Sequence, residues 1–401
     1  MQATKKFLAA AAATAVAALA LAGCAPSAPT GGESTSGAEL PPVPVAIITS
    51  QTGPLAAYGE TYIAGFEAGL DYATGGTGTV DGREIDITYL DDAGDADKAV
   101  TAMKEVIGTG TQIVAGTASS GIALALAEQA AQNQILYISG PAAADAITGV
   151  NDYTFRSGRQ SYQDVATAGT FIGDPAGQSV LVFAQDAAFG QGNVAAVDAV
   201  LGSAGATVSS ILVPEDATEF TPFAQQILAA APDLVFVAWA GATSAAMWEA
   251  LSQQGVFDST TVVTGLGDIS TYGAYGSASE QISFLNHYFA GATDNEVNAA
   301  MVASLEEAGH AADLFSPDGF NAAIMIVQAI REGGDTVDGY IAALEGFSFE
   351  GPKGTITIRA EDHAVIQPMF QVKLIADGDG FVPELIDTVD ADTVVPPVPA
   401  T

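Results

Sequence analysis

Residues 112–139 read QIVAGTASSGIALALAEQAAQNQILYIS, and this stretch decides the fold class. Gln112 to Ala115 is a short apolar run of strand character. Ile122 to Gln132 repeats its apolar residues at helical spacing, and Ile135 to Ser139 is a second strand run. Between the first strand and the helix lies a glycine-bounded loop, Gly116-Thr-Ala-Ser-Ser-Gly121. A strand, a loop, a helix and a strand in such close succession predict parallel strands with a helix packed across them.

The same alternation extends both ways. Upstream, Val43 to Thr49 is a buried strand candidate, Ala64 to Tyr72 a helix, Glu84 to Leu90 a strand covered on one face, and Asp97 to Gly108 a helix stopped by glycine. Downstream the pattern restarts. Strands are expected at Ser179–Ala184, Thr207–Val213, Leu234–Ala238 and Thr261–Gly265, with helices at Gly192–Ala204, Phe220–Ala231 and Ser244–Gln254. Helices near 295–309 and 319–332 and a strand pair at 354–359 and 369–375 complete the body. Two successive units of this type predict an α/β protein of two doubly wound, parallel-sheet lobes.

The ends read differently. Lys5 and Lys6 precede an apolar run from Phe7 to Ala22 that closes on Leu21-Ala22-Gly23-Cys24, so residues 1–23 are expected to be a secretory signal. At about sixteen residues the run is short for a membrane span, which needs roughly 20. Cys24 is the single cysteine, and the small residues before it resemble the bacterial lipobox, in which that thiol carries a thioether-linked lipid. The alternative is a secreted protein in which Cys24 is incidental. Residues 24–40, rich in Pro, Gly, Ser and Thr, read as a flexible tether, and residues 393–401 as a flexible tail.

Charge narrows the partners. Against 47 Asp and Glu stand 11 Lys and Arg, a formal net charge of −36. A phosphate backbone binds through basic surface, so no nucleic-acid partner is expected. Docking on anionic headgroups is disfavoured too, which leaves membrane attachment to the Cys24 lipid.

With the strands placed, several segments resemble the branched-chain amino-acid (Leu/Ile/Val) binding family of ABC-transporter solute-binding lipoproteins, with its type I periplasmic-binding fold. These are Val43-Pro-Val-Ala-Ile-Ile-Thr-Ser-Gln-Thr-Gly-Pro-Leu-Ala-Ala-Tyr-Gly59, Tyr89-Leu-Asp-Asp-Ala-Gly-Asp-Ala-Asp-Lys98, the Gly116 loop, Ile138-Ser-Gly-Pro-Ala-Ala-Ala144 and Ala184-Gln-Asp-Ala-Ala-Phe-Gly-Gln-Gly192. Their order and spacing over residues 43 to 385 carry the likeness. The resemblance implies three chain crossings, near 157–161, 283–288 and 346–353, with ligand held in the cleft between the lobes. Lobe one is then expected to comprise residues 41–158 and 286–347, and lobe two residues 159–285 and 348–392. The implied function is that of an extracytoplasmic, monomeric binding protein, held on the outer face of the bacterial cytoplasmic membrane. It would capture a small polar solute by hinge closure and pass it to an ABC permease, with no cofactor and no catalysis.

Open parallel sheets bind ligands beyond the carboxyl ends of their strands. Ser119 and Ser120 lie in such a loop at a helix start, where free N–H groups suit a carboxylate or carbonyl oxygen. Family resemblance gives Ser120 the ligand carboxylate, and a plain N-cap serine is the competing role. By the same resemblance Ala142 and Ala144 contribute backbone, with Ala144 standing where amino-acid binders often carry threonine. Tyr58 and Phe189 match aromatic walls of the cleft, or else pack the core. Lobe two departs from the amino-acid binders. Their tyrosine corresponds to Ala240, beside Trp239, and the glutamate that pairs the α-ammonium corresponds to Gly267, beside Asp268. Either Asp268 serves by a shift of one residue or the ligand lacks an α-amino group. Arg159, followed by Tyr162, can clamp an anion or form an ion pair, whereas Arg156 reads as structural.

Other chemistries find no support. His287, His310 and His363 lack metal-ligand spacing, and Asp91-Asp-Ala-Gly-Asp-Ala-Asp97 lacks the spacing of a calcium loop and reads as an acidic helix start. Walker A, Gly-x-Gly-x-x-Gly and Gly-x-Ser-x-Gly elements are absent from the sequence. The rivals to an importer's binding protein are a sensing lipoprotein of the same fold and, more remotely, a cell-surface α/β hydrolase.

Overall fold

The computed structural model describes residues 40–399, so the signal, Cys24 and the tether up to Glu39 lie outside the described residues. The first sheet is built from β1 (Val43–Thr49), β2 (Thr79–Val80), β3 (Arg83–Asp91), β4 (Ile113–Gly116), β5 (Leu136–Ser139) and β6 (Thr154–Arg156). Its order is β2-β3-β1-β4-β5-β6, all parallel except the short β2. The second sheet takes β7 (Ser179–Gln185), β8 (Thr207–Val213), β9 (Leu234–Ala238), β10 (Thr261–Gly265) and β11 (Ile282–Asn286). After a small three-stranded sheet of β12 (Ser348–Gly351), β13 (Gly354–Ile358) and β14 (Val365–Ile366), the antiparallel pair β15 (Met369–Asp377) and β16 (Gly380–Val389) extends the second sheet past β11.

Helices cover both faces of each sheet, as the near-continuous apolar runs of β1, β4, β7 and β9 require. In chain order they are α1 (Ala56–Thr74), α2 (Ala96–Gly108), α3 (Ser120–Asn133), α4 (Ser161–Gly169), α5 (Ala188–Val197), α6 (Thr221–Ala230), α7 (Ser244–Gln253), α8 (Tyr272–Tyr275), α9 (Glu296–Glu307), α10 (Ser316–Gly333) and α11 (Val337–Leu344). On the first sheet, α1, α10 and α11 bury Tyr62, Phe66, Ile326 and Leu344 against Val45, Ile47 and Ile113. On its other face α2 and α3 bury Met103 and Leu126 against Ile48 and Val114. The second sheet is sandwiched likewise, by Trp248 and Leu251 on one side and Val165 and Val197 on the other.

Helices α1 and α10 meet backbone to backbone. A Cβ on Gly65 would sit 2.0 Å from the Ser316 carbonyl oxygen, and one on Gly319 would sit 2.0 Å from that of Tyr62. Only glycine permits this approach, and it locks α10 onto the first sheet after the chain has already built the second.

The chain passes between the sheets after β6, after β11, and between β14 and β15. The first passage lies between β6 and α4, from Ser157 to Gln160. The second begins only after Asn286, because Ile282–Asn286 continues the second sheet as β11. On the third segment, Ile358 and the partly buried Phe347 and Phe349 pack into the first sheet's core, and the second sheet is rejoined at Met369. One expectation is corrected at the C-terminus. Val394 is fully buried with Met369 and Val389, and the Pro396 carbonyl accepts a hydrogen bond from Arg359 Nη1 at 2.7 Å, so residues 394–396 are docked, while 397–399 are exposed.

Candidate functional site

In both sheets the strand order reverses beside a central strand: β3 and β4 flank β1, and β8 and β9 flank β7. Loops leaving the carboxyl ends of strands at such a switch point diverge and leave a crevice. The two crevices face one another here. They enclose a cavity of about 370 Å³, within the range of small-molecule pockets.

The first sheet supplies the polar wall. Ser119 caps α3 by accepting a long hydrogen bond from the Ile122 N–H at 3.5 Å, and Ser120 Oγ accepts from the Ala144 N–H at 3.2 Å. The first-turn amides of α3 have no partner within the helix and suit an oxyanion. Arg159, only 7% exposed, donates from Nε to Asp164 at 3.3 Å and from Nη1 to the Pro141 carbonyl at 2.9 Å. Its Nη2 has no protein partner among the described residues, and its guanidinium lies 5.7 Å from the centre of the Phe315 ring. Burial pushes the Asp164 carboxyl up, and the Arg159 charge beside it opposes that shift.

The second sheet supplies an aromatic wall of Phe189, Phe236 and Trp239. Trp239 stacks on Phe183 with ring centres 5.3 Å apart, meets Phe220 edge-on, and donates its indole N–H to Thr243 Oγ1 at 3.0 Å. That indole is therefore satisfied within its own lobe and offers the cavity a fixed ring. Tyr58 closes the cavity from the first sheet, edge-on to Phe315 at 4.7 Å.

Three hydrogen bonds span the two sheets' loops. Ala242 N–H donates to the Pro54 carbonyl at 3.1 Å, Gly241 N–H to Tyr58 Oη at 3.4 Å, and Ile269 N–H to Asp313 Oδ2 at 3.1 Å. The crevice is shut.

Residues 42–379 match the family described as periplasmic binding protein. The chain belongs to that family. This periplasmic binding protein is 32% identical to an ABC-type branched-chain amino acid transporter protein from Rhodopseudomonas palustris, whose crystal structure matches with a TM-score of 0.74 over 89% of this chain and 99% of that one. It is 23% identical to Leu/Ile/Val-binding protein homolog 3 of Brucella melitensis, over 84% of this chain and 92% of the relative. An ABC-transporter solute-binding protein of R. palustris in complex with 4-hydroxybenzoate shares the fold at 20% identity, with a TM-score of 0.79 over 87% and 97% of the two chains. The function is that of an extracytoplasmic ABC-importer solute-binding protein, which binds a small solute and delivers it to the permease. Among the described residues no helix is long and apolar enough to cross a membrane.

Of the residues singled out in the sequence, Tyr58, Ser119, Ser120, Arg159, Phe189 and Trp239 of this binding protein line the cavity. The others do not. Ala142 and Ala144 are buried with Ile147 beneath the loop, and Ala143 between them lines the cavity instead. Tyr162 lies outside the lining, its N–H donated to Asp145 at 3.0 Å. Asp268 caps a short helical turn, accepting from the Ser270 N–H, the Ser270 hydroxyl and the Thr271 hydroxyl, so its oxygens are spent locally. Arg156 is the strut it was expected to be. Fully buried, it donates to the carbonyls of Ala142, Gly158 and Arg159 and to the Thr148 hydroxyl.

Sequence reasoning missed His287, Phe315 and Asp164. His287 follows a strand end and was within reach of the same rule that found Ser120. Phe315 precedes a helix that no strand introduces, and Asp164 sits inside one, so neither carried a signal.

Proposed function

We propose that the captured solute is a small aromatic carboxylate without an α-ammonium group. One observation carries this reading: the cavity pairs an oxyanion-suited wall with an aromatic wall and holds no free buried carboxylate. The carboxylate lies at the first turn of α3, with Ser119, Ser120 and the unengaged Nη2 of Arg159 around it. The ring stacks between Trp239, beside Phe189, and Tyr58 on the opposite side of the crevice. An ammonium in a closed cleft needs a carboxylate. Asp164 is occupied by Arg159, Glu215 is exposed at the rim, and Asp268 is outside the lining. The complex of the R. palustris relative with 4-hydroxybenzoate is in keeping with a fold able to hold such acids.

Capture is by hinge closure at the three passages, without catalysis. The protein acts as a monomer anchored through lipid on Cys24. The sequence of the segment before Cys24 supports the anchor, and mass spectrometry of the mature protein tests it: a diacylglyceryl mass on an N-terminal cysteine is expected, and an unmodified Cys24 contradicts it. For the ligand, a thermal-shift panel decides. Benzoate, 4-hydroxybenzoate and phenylacetate should raise the melting temperature, while leucine and valine leave it unchanged. A shift with leucine and none with the aromatic acids overturns the reading.

A further inference from the structure

Gln185 ends β7, the strand beside which the second sheet's order reverses, and it lines the cavity. Its Oε1 accepts a hydrogen bond from the Ala240 N–H at 3.0 Å, so the side chain reaches from β7 to the loop after β9. These are the strands whose loops part at the switch point. The amide therefore spans the second sheet's crevice, bonded one residue past Trp239. The Ala240 N–H can only donate, which assigns the amide oxygen to that bond and leaves the nitrogen as the free end. Nε2 has no protein partner among the described residues, and it is not one of the polar atoms sealed in the interior. The other polar side chains on this wall are committed or remote. Thr264 donates its hydroxyl to the Val237 carbonyl at 2.9 Å, Thr243 accepts from the Trp239 indole, and Glu215 is exposed at the rim.

We propose that Gln185 is a specificity-determining residue whose Nε2 donates a hydrogen bond to an uncharged oxygen substituent, a hydroxyl or an ether, on the ligand's aromatic ring. The inference rests on the aromatic-acid reading above and adds which acids are preferred. With the carboxylate on α3 and the ring on Trp239, the far edge of the ring is turned to the second sheet. There this amide is the polar group with a donor left to give. An amide N–H pairs with any acceptor oxygen, whether or not that oxygen carries a hydrogen. An alkyl group in the same place strips the amide of solvent without replacing the hydrogen bond. A second carboxylate is disfavoured by Glu215 at the rim and by the excess of 47 acidic over 11 basic residues, which leaves the uncharged oxygens.

The test is calorimetric titration of the full mature chain with the 3- and 4-isomers of methoxybenzoate, hydroxybenzoate and ethylbenzoate. Methoxy and ethyl groups match in size and differ by the acceptor oxygen. The native protein is expected to bind its better methoxybenzoate at least about fivefold more tightly than the matching ethylbenzoate, the worth of one hydrogen bond. Gln185→Leu should bring that ratio to within about twofold. Gln185→Glu keeps an oxygen for Ala240 and puts an acceptor where Nε2 was. Titrated at about pH 8, where the carboxylate is ionised, it should raise the ratio of hydroxybenzoate to methoxybenzoate affinity about fivefold over the native value, because a hydroxyl can donate to the new oxygen and an ether cannot. If the native protein binds the acids without preferring methoxy to ethyl, or if Gln185→Leu weakens both equally, the proposal falls while the aromatic-acid reading stands. If the native protein binds none of the acids, both readings fall. Should the Leu variant not fold, the Glu variant, which retains the Ala240 bond, decides: a hydroxy-to-methoxy ratio equal to the native one overturns the proposal.

Discussion

At the scale of single residues, the ligand is read by side chains that the protein has already fixed. Trp239 is held by Phe183, Phe220 and Thr243 before any ligand arrives, so stacking on it costs little conformational entropy. Trp239→Ala should therefore weaken the best aromatic acid at least about tenfold in a titration, with the circular dichroism spectrum unchanged. Unchanged affinity in a folded variant removes the indole from the binding surface. Arg159 has two duties, since it also neutralises the buried Asp164. Arg159→Ala leaves that carboxylate buried and unpaired, a loss of about 3–5 kcal/mol in the denaturant-derived stability together with loss of acid binding. Residues at strand ends (Ser120, Trp239) were legible because the switch-point rule points to them. Ala144 and Asp268 misled for a local reason: Ala144 lends its amide to Ser120, and Asp268 turns back on Ser270 and Thr271.

At the scale of elements, apolar run and period located β1, β8, β9 and β10 to the residue. What escaped lacked an unbroken apolar run. The strand β16 carries Pro383, Glu384 and Asp387, a composition tolerated because it lies at the sheet's edge. β11 reads Ile-Ser-Phe-Leu-Asn, too mixed to stand out, yet it fixes where the chain leaves the second lobe. The element contact most exposed to mutation is that of α1 with α10. Gly65→Val forces side-chain atoms into the Ser316 backbone and is expected to cost about 3 kcal/mol or more, read as a lower denaturation midpoint. A midpoint equal to that of the native protein contradicts the close backbone packing.

At the scale of the molecule, Asp313 is buried in the shut crevice and accepts a hydrogen bond from the Ile269 amide across it. Burial pushes its carboxyl up to about 6, with Asp268 adding to the rise and the Leu314 and Ile269 amides opposing it. An exposed aspartate titrates near 3.9. The closed form thus takes up protons that the open form does not, between roughly pH 4 and pH 6, and linkage favours closure on the acid side of that window. This group's contribution to affinity is complete below about pH 4 and is lost as pH rises through 6. It amounts to at most roughly a hundredfold, tenfold for each pH unit between about 4 and 6, and Asp313→Asn should flatten that portion of the pH profile. A profile identical in the variant excludes Asp313 as a closure-linked group. The doubly wound lobes were legible because both sheets repeat one pattern. The closed cavity was not, since interlobe pairs such as Asp313 with Ile269 and Tyr58 with Gly241 join positions far apart in sequence.

The claim that joins these scales is that one aromatic acid bridges the two lobes, its carboxylate on the first turn of α3 and its ring on Trp239. A crystal structure of the protein grown with 4-hydroxybenzoate tests it most directly. The electron density is expected to place the acid in that orientation between Ser120 and Trp239, chemically unchanged. An empty crevice at saturating ligand, or an acid bound elsewhere on the surface, would contradict it.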